Sequence, residues 1–324
     1  MSIKRLLALL AALFVIFFSV PLATAQSQPK SGSGLTISPT RSELTIKPGA
    51  AEDIQITLIN TAHVDVIATA EIDDFTSDNA TGEPKLIIDQ KVNSARTIRK
   101  FLVGVGDIEL AKDETKKLDI PVQIPNGTPA GAYYGVIRYT ARQKTKPEEG
   151  GKIVALNASV GHIVLIQVPG NITELLQAKK IAVSRNDSDS SFFVAPPTKA
   201  NVTLKNSGNS FNKPFGRVIV SKGRNEVFHY EMNNTDPRSN ILPGAVRTFT
   251  NNIENVNKFG RYTITANISY GTGGDILVLK SSFWVFPLWI VIVIAGVFLL
   301  VSGIGYLLYR RIVKRGRRKN RRVA

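Results

Sequence analysis

No cysteine occurs in the 324 residues, and there are only three histidines. Without cysteine, a disulfide-framework scaffold is excluded, so hydrophobic packing must hold any exported part together. The same absence, with no two of His63, His162 and His229 at ligand spacing, removes the usual zinc sites. Gly-x-Ser-x-Gly, a phosphate-binding glycine loop and a credible Ser-x-x-Lys are also missing. His229 alternates with Phe228 and Tyr230 as a solvated strand residue would, His162 shares a face with Val160 and Val164 as a hydrogen-bonded interior residue, and His63 sits beside a turn. Carboxylates gather at Asp73, Asp74, Asp78 and Glu83 and again at Asp187 and Asp189, in stretches read as loops. Neither group has the ordered oxygen spacing of a calcium loop, and an acid pair drawn from Asp73, Asp74 and Asp78 lacks the fixed separation a glycoside hydrolase needs. No catalytic residue, metal ligand or cofactor is expected.

Charge is missing over one long stretch, from Ser281 to Tyr309. Within it Phe286 to Tyr309 is almost wholly apolar, and at about 1.5 Å per residue a helix of that length reaches roughly 36 Å, enough for a hydrocarbon core of about 30 Å. A single-pass span over residues 286–309 is expected, with Trp284, Phe286, Trp289, Tyr306 and Tyr309 as anchors in the lipid interface. Acidic residues are then absent from the tail, 310–324, where Arg310, Arg311, Lys314, Arg315, Arg317, Arg318, Lys319, Arg321 and Arg322 follow closely. By the positive-inside bias these set the topology, placing the tail in the cytoplasm against anionic lipid. The rival reading of that tail is a nucleic-acid arm or nuclear localisation signal. Of the formal charge of +16, nine units lie in the tail and two at Lys4 and Arg5, leaving +5 elsewhere. That is no polyanion-binding excess, so membrane lipid is the expected partner and nucleic acid is not.

At the other end a basic head, an apolar run from Leu6 to Leu22 and Ala23-Thr24-Ala25 read as a signal peptide over residues 1–25. An uncleaved signal anchor is the alternative. Residues 26–34 have linker composition.

What is plentiful is alternation. Ile54, Ile56 and Leu58, then Leu118, Ile120, Val122 and Ile124, then Tyr262, Ile264, Ala266 and Ile268 recur every second residue. That period marks antiparallel strands with one wet face. Turn chemistry separates the runs at Pro48-Gly49, Asn126-Gly127, Lys222-Gly223 and Gly273-Gly274. Ile163 to Val168 is apolar on both faces and belongs in a covered, central strand. The expected fold class is all-β, two immunoglobulin-like β-sandwich domains in tandem, residues 35–172 and 173–285, plus the single C-terminal transmembrane helix. The boundary falls near Gly170 to Lys180, where Leu-Leu-Gln-Ala-Lys-Lys breaks the alternation. The halves repeat loosely. Each has an extended run ending in asparagine (Asn60, Asn206), a Pro-Gly turn (Pro48-Gly49, Pro243-Gly244) and a Gly-x-Tyr strand (Gly131 to Tyr133, Gly260 to Tyr262), although the order of these features differs.

Leu44 to Gly49, Ile54 to Asn60, Leu118 to Pro125 and Gly131 to Tyr139 together resemble the first extracellular domain of the WxL-interacting proteins of Gram-positive bacteria. Asn206 to Asn209, Ile241 to Gly244 and Phe259 to Tyr262 stand where that family carries its second domain, and the order of signal, two β-domains, span and basic tail is similar. The resemblance implies a peptidoglycan-binding first domain and a second that contacts WxL-type or other surface proteins, or a host cell. The expected function is a non-enzymatic cell-surface binding and adhesion protein, single-pass in the cell membrane with its N-terminal region outside. Recognition would use strand edges or rings such as Tyr133 and Tyr134. The alternative is an extracytoplasmic assembly or secretion accessory that shields partner strands as a chaperone does.

Overall fold

A computed structural model describes residues 34–78, 80–88, 94–144 and 159–320. The signal segment, almost all of the 26–34 linker, most of the loop after Lys144, Arg321 and Arg322 lie outside the described residues.

The first half contains β1 (Leu35–Ser38), β2 (Arg41–Thr45), β3 (Ala51–Asn60), β4 (Val66–Ser77), β5 (Pro84–Ile87), β6 (Ile108–Leu110), β7 (Thr115–Gln123), β8 (Gly131–Gln143) and β9 (Ser159–Val168). They form a sheet in the order β1-β3-β7 and a second in the order β2-β9-β8-β4-β5, with β6 also on β4. The second half contains β10 (Leu176–Arg185), β11 (Ser188–Ser190), β12 (Phe192–Phe193), β13 (Lys199–Asn206), β14 (Phe215–Lys222), β15 (Asn225–Met232), β16 (Val246–Asn252), β17 (Gly260–Tyr270) and β18 (Asp275–Val285). Its sheets run β11-β10-β13-β16 and β12-β18-β17-β14-β15. A helix, α1 (Leu288–Asn320), ends the described chain.

Alternation in sequence becomes burial of one face. Ile54, Ile56 and Leu58 of β3 and Ile120 and Val122 of β7 meet Val66 and Ala68 of β4, Ile137 and Tyr139 of β8, and Val164 and Ile166 of β9 in one core between the two sheets. Val202 and Leu204, Val218 and Val220, Ile264 and Ile268, and Phe283 build the corresponding core of the second half. Removing such a side chain from water is worth about 1.5–3 kcal/mol each, which is how sheets without disulfides hold together.

The two halves share one topology. In each the last strand takes a short parallel neighbour, β2 on β9 and β12 on β18, while the other pairings of the facing sheet are antiparallel. Tyr133 Oη donates to the Pro129 carbonyl at 3.0 Å and Tyr262 Oη to the Lys258 carbonyl at 2.8 Å, both four residues upstream. This is the tyrosine corner of immunoglobulin-like sandwiches, and the glycine two residues earlier has φ of +140° at both Gly131 and Gly260.

Leu-Leu-Gln-Ala-Lys-Lys, expected to interrupt the strands, lies mostly inside β10: a bulge between Ala178 and Lys180 absorbs the residue that breaks its period. The aspartates expected in a loop are corrected more sharply. Asp73 and Asp74 lie in β4 and are buried; Asp73 Oδ2 accepts a hydrogen bond from Arg138 Nε at 2.6 Å, and Asp74 Oδ2 accepts one from the Ser94 amide at 3.3 Å. A cation on the neighbouring strand is what permits an acid there. Asp78 does sit in a turn, its Oδ1 accepting from the amides of Ala80 and Thr81 at 2.8 and 2.9 Å. Asp187 and Asp189 bind Lys199 and Lys180, and no group of three potential metal ligands occurs among the described residues.

Candidate functional site: the cleft between the two halves

Ile163 to Val168 is covered on both faces, as its composition requires, and the second cover comes from the other half of the chain. Val164, Ile166 and Val168 face the first core, while Leu165 joins Phe75, Val136 and Leu242 in a third apolar cluster, flanked by Tyr134, Ile163, Phe211 and Ala245. The Tyr134 ring lies 5.1 Å from Phe75 and 6.2 Å from Phe211, centroid to centroid. Tyr133 and Tyr134 therefore do not form an exposed recognition face: the first is buried in the core and the second sits in the joint between halves.

Polar contacts fix the same joint. The Asn209 carbonyl accepts from the Ala132 amide at 2.8 Å and from Arg96 Nη1 at 3.2 Å, and Ser210 Oγ donates to Gln167 Oε1 at 2.8 Å. The Thr248 amide donates to the Ala80 carbonyl at 3.0 Å, and Lys213 pairs with Glu43. Bonds at several points around an apolar centre hold the halves in one relative placement.

Beside this joint a cavity of about 200 Å³ opens, lined by Arg41, Phe75, Glu83, Ile163, Leu165, Leu242 and Arg247 among others. Arg41 is brought there by the parallel pairing of β2, which sets it level with Ile163. Arg247 comes from β16, with its guanidinium 5.3 Å over the Phe249 ring and Nη1 donating to the Asn240 carbonyl at 3.0 Å. Gly82 lets it pass: φ there is +72°, and a Cβ would fall 2.5 Å from Arg247 Cδ.

Two arginines and one acid, Glu83, line the cavity. Arg41 pairs with Glu43, which also takes Lys213, yet Arg41 Nε is buried with no hydrogen-bond acceptor. Burial, then the nearby charge of Arg247, lowers the pKa of Arg41; burial, then Arg41 and Arg238, lowers that of Lys213. Burial also lowers that of Arg247, with Glu83 opposing the shift. Two arginines thus stand over an apolar floor, one of them with an unpartnered Nε, and Arg presents planar paired donors suited to a carboxylate. Nothing in the sequence marks this site, because Arg41 and Arg247 belong to different halves and neither lies in a motif.

The residues singled out for membrane contact lie elsewhere. Trp284 belongs to β18, Phe286 to the connector after it, and Trp289, Tyr306 and Tyr309 are exposed on α1. The stretch Leu288–Arg311 is long and apolar enough to cross a membrane, and its most apolar window has no buried residue among the described ones. Arg310, Arg311, Lys314, Arg315, Arg317, Arg318 and Lys319 continue the helix beyond the expected end at residue 309, as good helix formers can. Of the histidines, His162 is buried, while His63 and His229 are exposed beside Asp113 and Glu226.

No family model and no curated protein matches the chain. Among solved structures it is similar to the class 5 fimbriae chaperone CfaA, at 14% identity over 77% of this chain and 98% of that one, with a TM-score of 0.39. It is similar also to the E. coli chaperone DraB, at 13% identity over 77% and 96% with a TM-score of 0.35. A Porphyromonas gingivalis protein of unknown function is 14% identical over 78% and 99%, with a TM-score of 0.30.

Proposed function

We propose that the chain is a non-enzymatic accessory of protein export or surface assembly, in which two immunoglobulin-like domains held outside a membrane by α1 bind an extended polypeptide partner. The observation that carries this is the pair Arg41 and Arg247 at a cavity with an apolar floor between the halves. A carboxylate beside an apolar side chain, as a polypeptide presents, satisfies both the cations and Phe75, Ile163, Leu165 and Leu242; a polar wall glycan has no use for that floor. Edge strands supply the rest of the contact. The Trp284 amide points away from β17 to the Ser191 carbonyl, so by the two-residue period the amides of Ile276, Val278, Lys280 and Ser282 point the same way. Along that stretch β12 does not extend, and Ile276 and Val278 are exposed. Such an edge accepts an added strand. The positive-inside bias of the tail supports both domains lying outside the cytoplasm.

The test is a photo-crosslinking residue at Ser239, on the cavity wall, in intact cells. The proposal expects a discrete polypeptide adduct that disappears with Arg41→Glu and Arg247→Glu combined. An adduct to wall polymer alone, or one indifferent to the charge reversal, contradicts it.

A further inference from the structure

The end of the second half nearest α1 carries exposed apolar side chains that the sandwich does not need. Phe192 and Val194, around β12, and Phe259, just before β17, are 66%, 54% and 43% exposed. Phe192 and Phe259 are far apart in sequence but meet around one ring, and Val194 follows Phe192 by two residues. Phe286 lies 6.4 Å from Phe192, 5.2 Å from Phe259 and 5.7 Å from Trp284, centroid to centroid. The Phe286 amide donates to the Phe193 carbonyl at 2.7 Å, which fixes that ring to the domain and not to the helix alone. Only Phe286 and Pro287 separate β18 from α1.

That short connector decides what covers these rings. Two extended residues reach about 7 Å at most, comparable to the thickness of one headgroup layer. If α1 enters the hydrocarbon near Leu288, Phe286 lies in that layer, and so does whatever stacks on it. Aromatic rings favour this depth, and the exposed Lys258 next to Phe259 suits an anionic surface there.

We infer that Phe192, Val194 and Phe259 form a membrane-contact surface belonging to the second half, so that this half sits on the bilayer instead of swinging from a tether. The occupant is the headgroup layer of the bilayer that holds α1. This rests on the reading of α1 as a span, and it predicts more: a fixed height for the cleft above the membrane.

The absence of cysteine makes the test direct. Full-length protein with one spin label at V194C, F192C, F259C, G273C or V297C is reconstituted in phosphatidylcholine–phosphatidylglycerol vesicles. Collision with oxygen and with a water-soluble nickel chelate is then measured. The inference expects labels at 192, 194 and 259 to read an oxygen-to-nickel ratio between those of 297, inside the span, and 273, in the turn at the far end of β18. The label at 194 keeps both phenylalanines in place, so loss of a ring cannot explain its result. If 297 reads as buried in lipid while 192, 194 and 259 read as aqueous as 273, the seat is overturned and the span stands. If 297 itself reads aqueous, the span fails and the seat with it.

Discussion

Asn60 and Asn206 make the same hydrogen bonds at the ends of β3 and β13. Asn60 Nδ2 donates to the Val64 carbonyl at 2.7 Å and Asn206 Nδ2 to the Ser210 carbonyl at 2.7 Å, each four residues on. Each side-chain oxygen accepts from the amide two residues on, Ala62 and Gly208, at 3.0 Å. Each Nδ2 also reaches the turn before the paired strand, at the Ala111 or Ile241 carbonyl. Both asparagines are buried, so their removal leaves several backbone groups without partners. Asn60→Ala and Asn206→Ala should each cost about 1–3 kcal/mol in denaturant unfolding. A cost near zero for either would show that these networks do not hold the turns.

A second prediction concerns Asp73, wholly buried, and Arg138, which pairs also with Glu71. The hydrogen bond to Asp73, more than any other influence, raises the pKa of Arg138. Arg138→Ala leaves a buried carboxylate without its cation and should cost about 3 kcal/mol. Asp73→Asn combined with Arg138→Gln should cost less than the sum of the single changes, because the pair is removed together. Strict additivity in the double-mutant cycle would contradict the coupling.

His162 gives a pH dependence with a definite sign. Its Nδ1 lies 2.7 Å from the Pro39 carbonyl and so carries the hydrogen, while Nε2 accepts from Ser42 Oγ at 3.0 Å. Burial lowers its pKa, against the opposing pull of the Pro39 carbonyl. On acidification the unfolded chain takes up this proton first, near pH 6.5, so stability falls from there until the folded pKa is reached. Unfolding free energies at pH 7.5 and 5.5 should differ less for His162→Gln than for the wild type. An equal loss in both would remove the histidine from the account.

The joint between the halves is testable through Leu242, which contributes to no core but the one it shares with Phe75, Val136 and Leu165. Leu242→Ala should cost about 2–4 kcal/mol and should raise hydrogen exchange on both sides of the joint, at Ala132 and at Thr248. Protection lost on the second half alone would mean that the halves do not brace each other.

Much of this was readable from the residues. Alternation located the strands because one face of each is wet, and the doubly apolar Ile163 to Val168 announced a strand with two covers. What covers its second face was not readable, since Leu242 arrives from the other half. The repeat was seen in part: the terminal asparagines and the Gly-x-Tyr strands are equivalent, but Pro48-Gly49 is not the counterpart of Pro243-Gly244. That counterpart is Lys112-Asp113. The Asn60 amide donates to Glu114 and the Asn206 amide to Ala245, and Asp113 takes the positive φ, 59°, that Gly244 takes in the second half. Aspartate in a left-handed turn hid the match, and with it the shared order of elements. Asp73 and Asp74 read as loop residues for a similar reason: an acid looks like one until its partner is known, and here Arg138 reaches Asp73 from across the sheet while the Ser94 amide reaches Asp74.

A carboxylate held in the cleft by Arg41 and Arg247 would stabilise the folded protein, and thermal unfolding reads that gain. Purified full-length protein in detergent is unfolded thermally with increasing amounts of a short apolar peptide ending in a free carboxylate, and again with the same peptide amidated. Binding to the folded state alone adds about 2.7 kcal/mol at a hundredfold excess over Kd. Tm should rise with the free carboxylate, change little with the amide, and not rise in the Arg41→Glu, Arg247→Glu protein. Equal shifts with both peptides, or an undiminished shift in the charge-reversed protein, would contradict it.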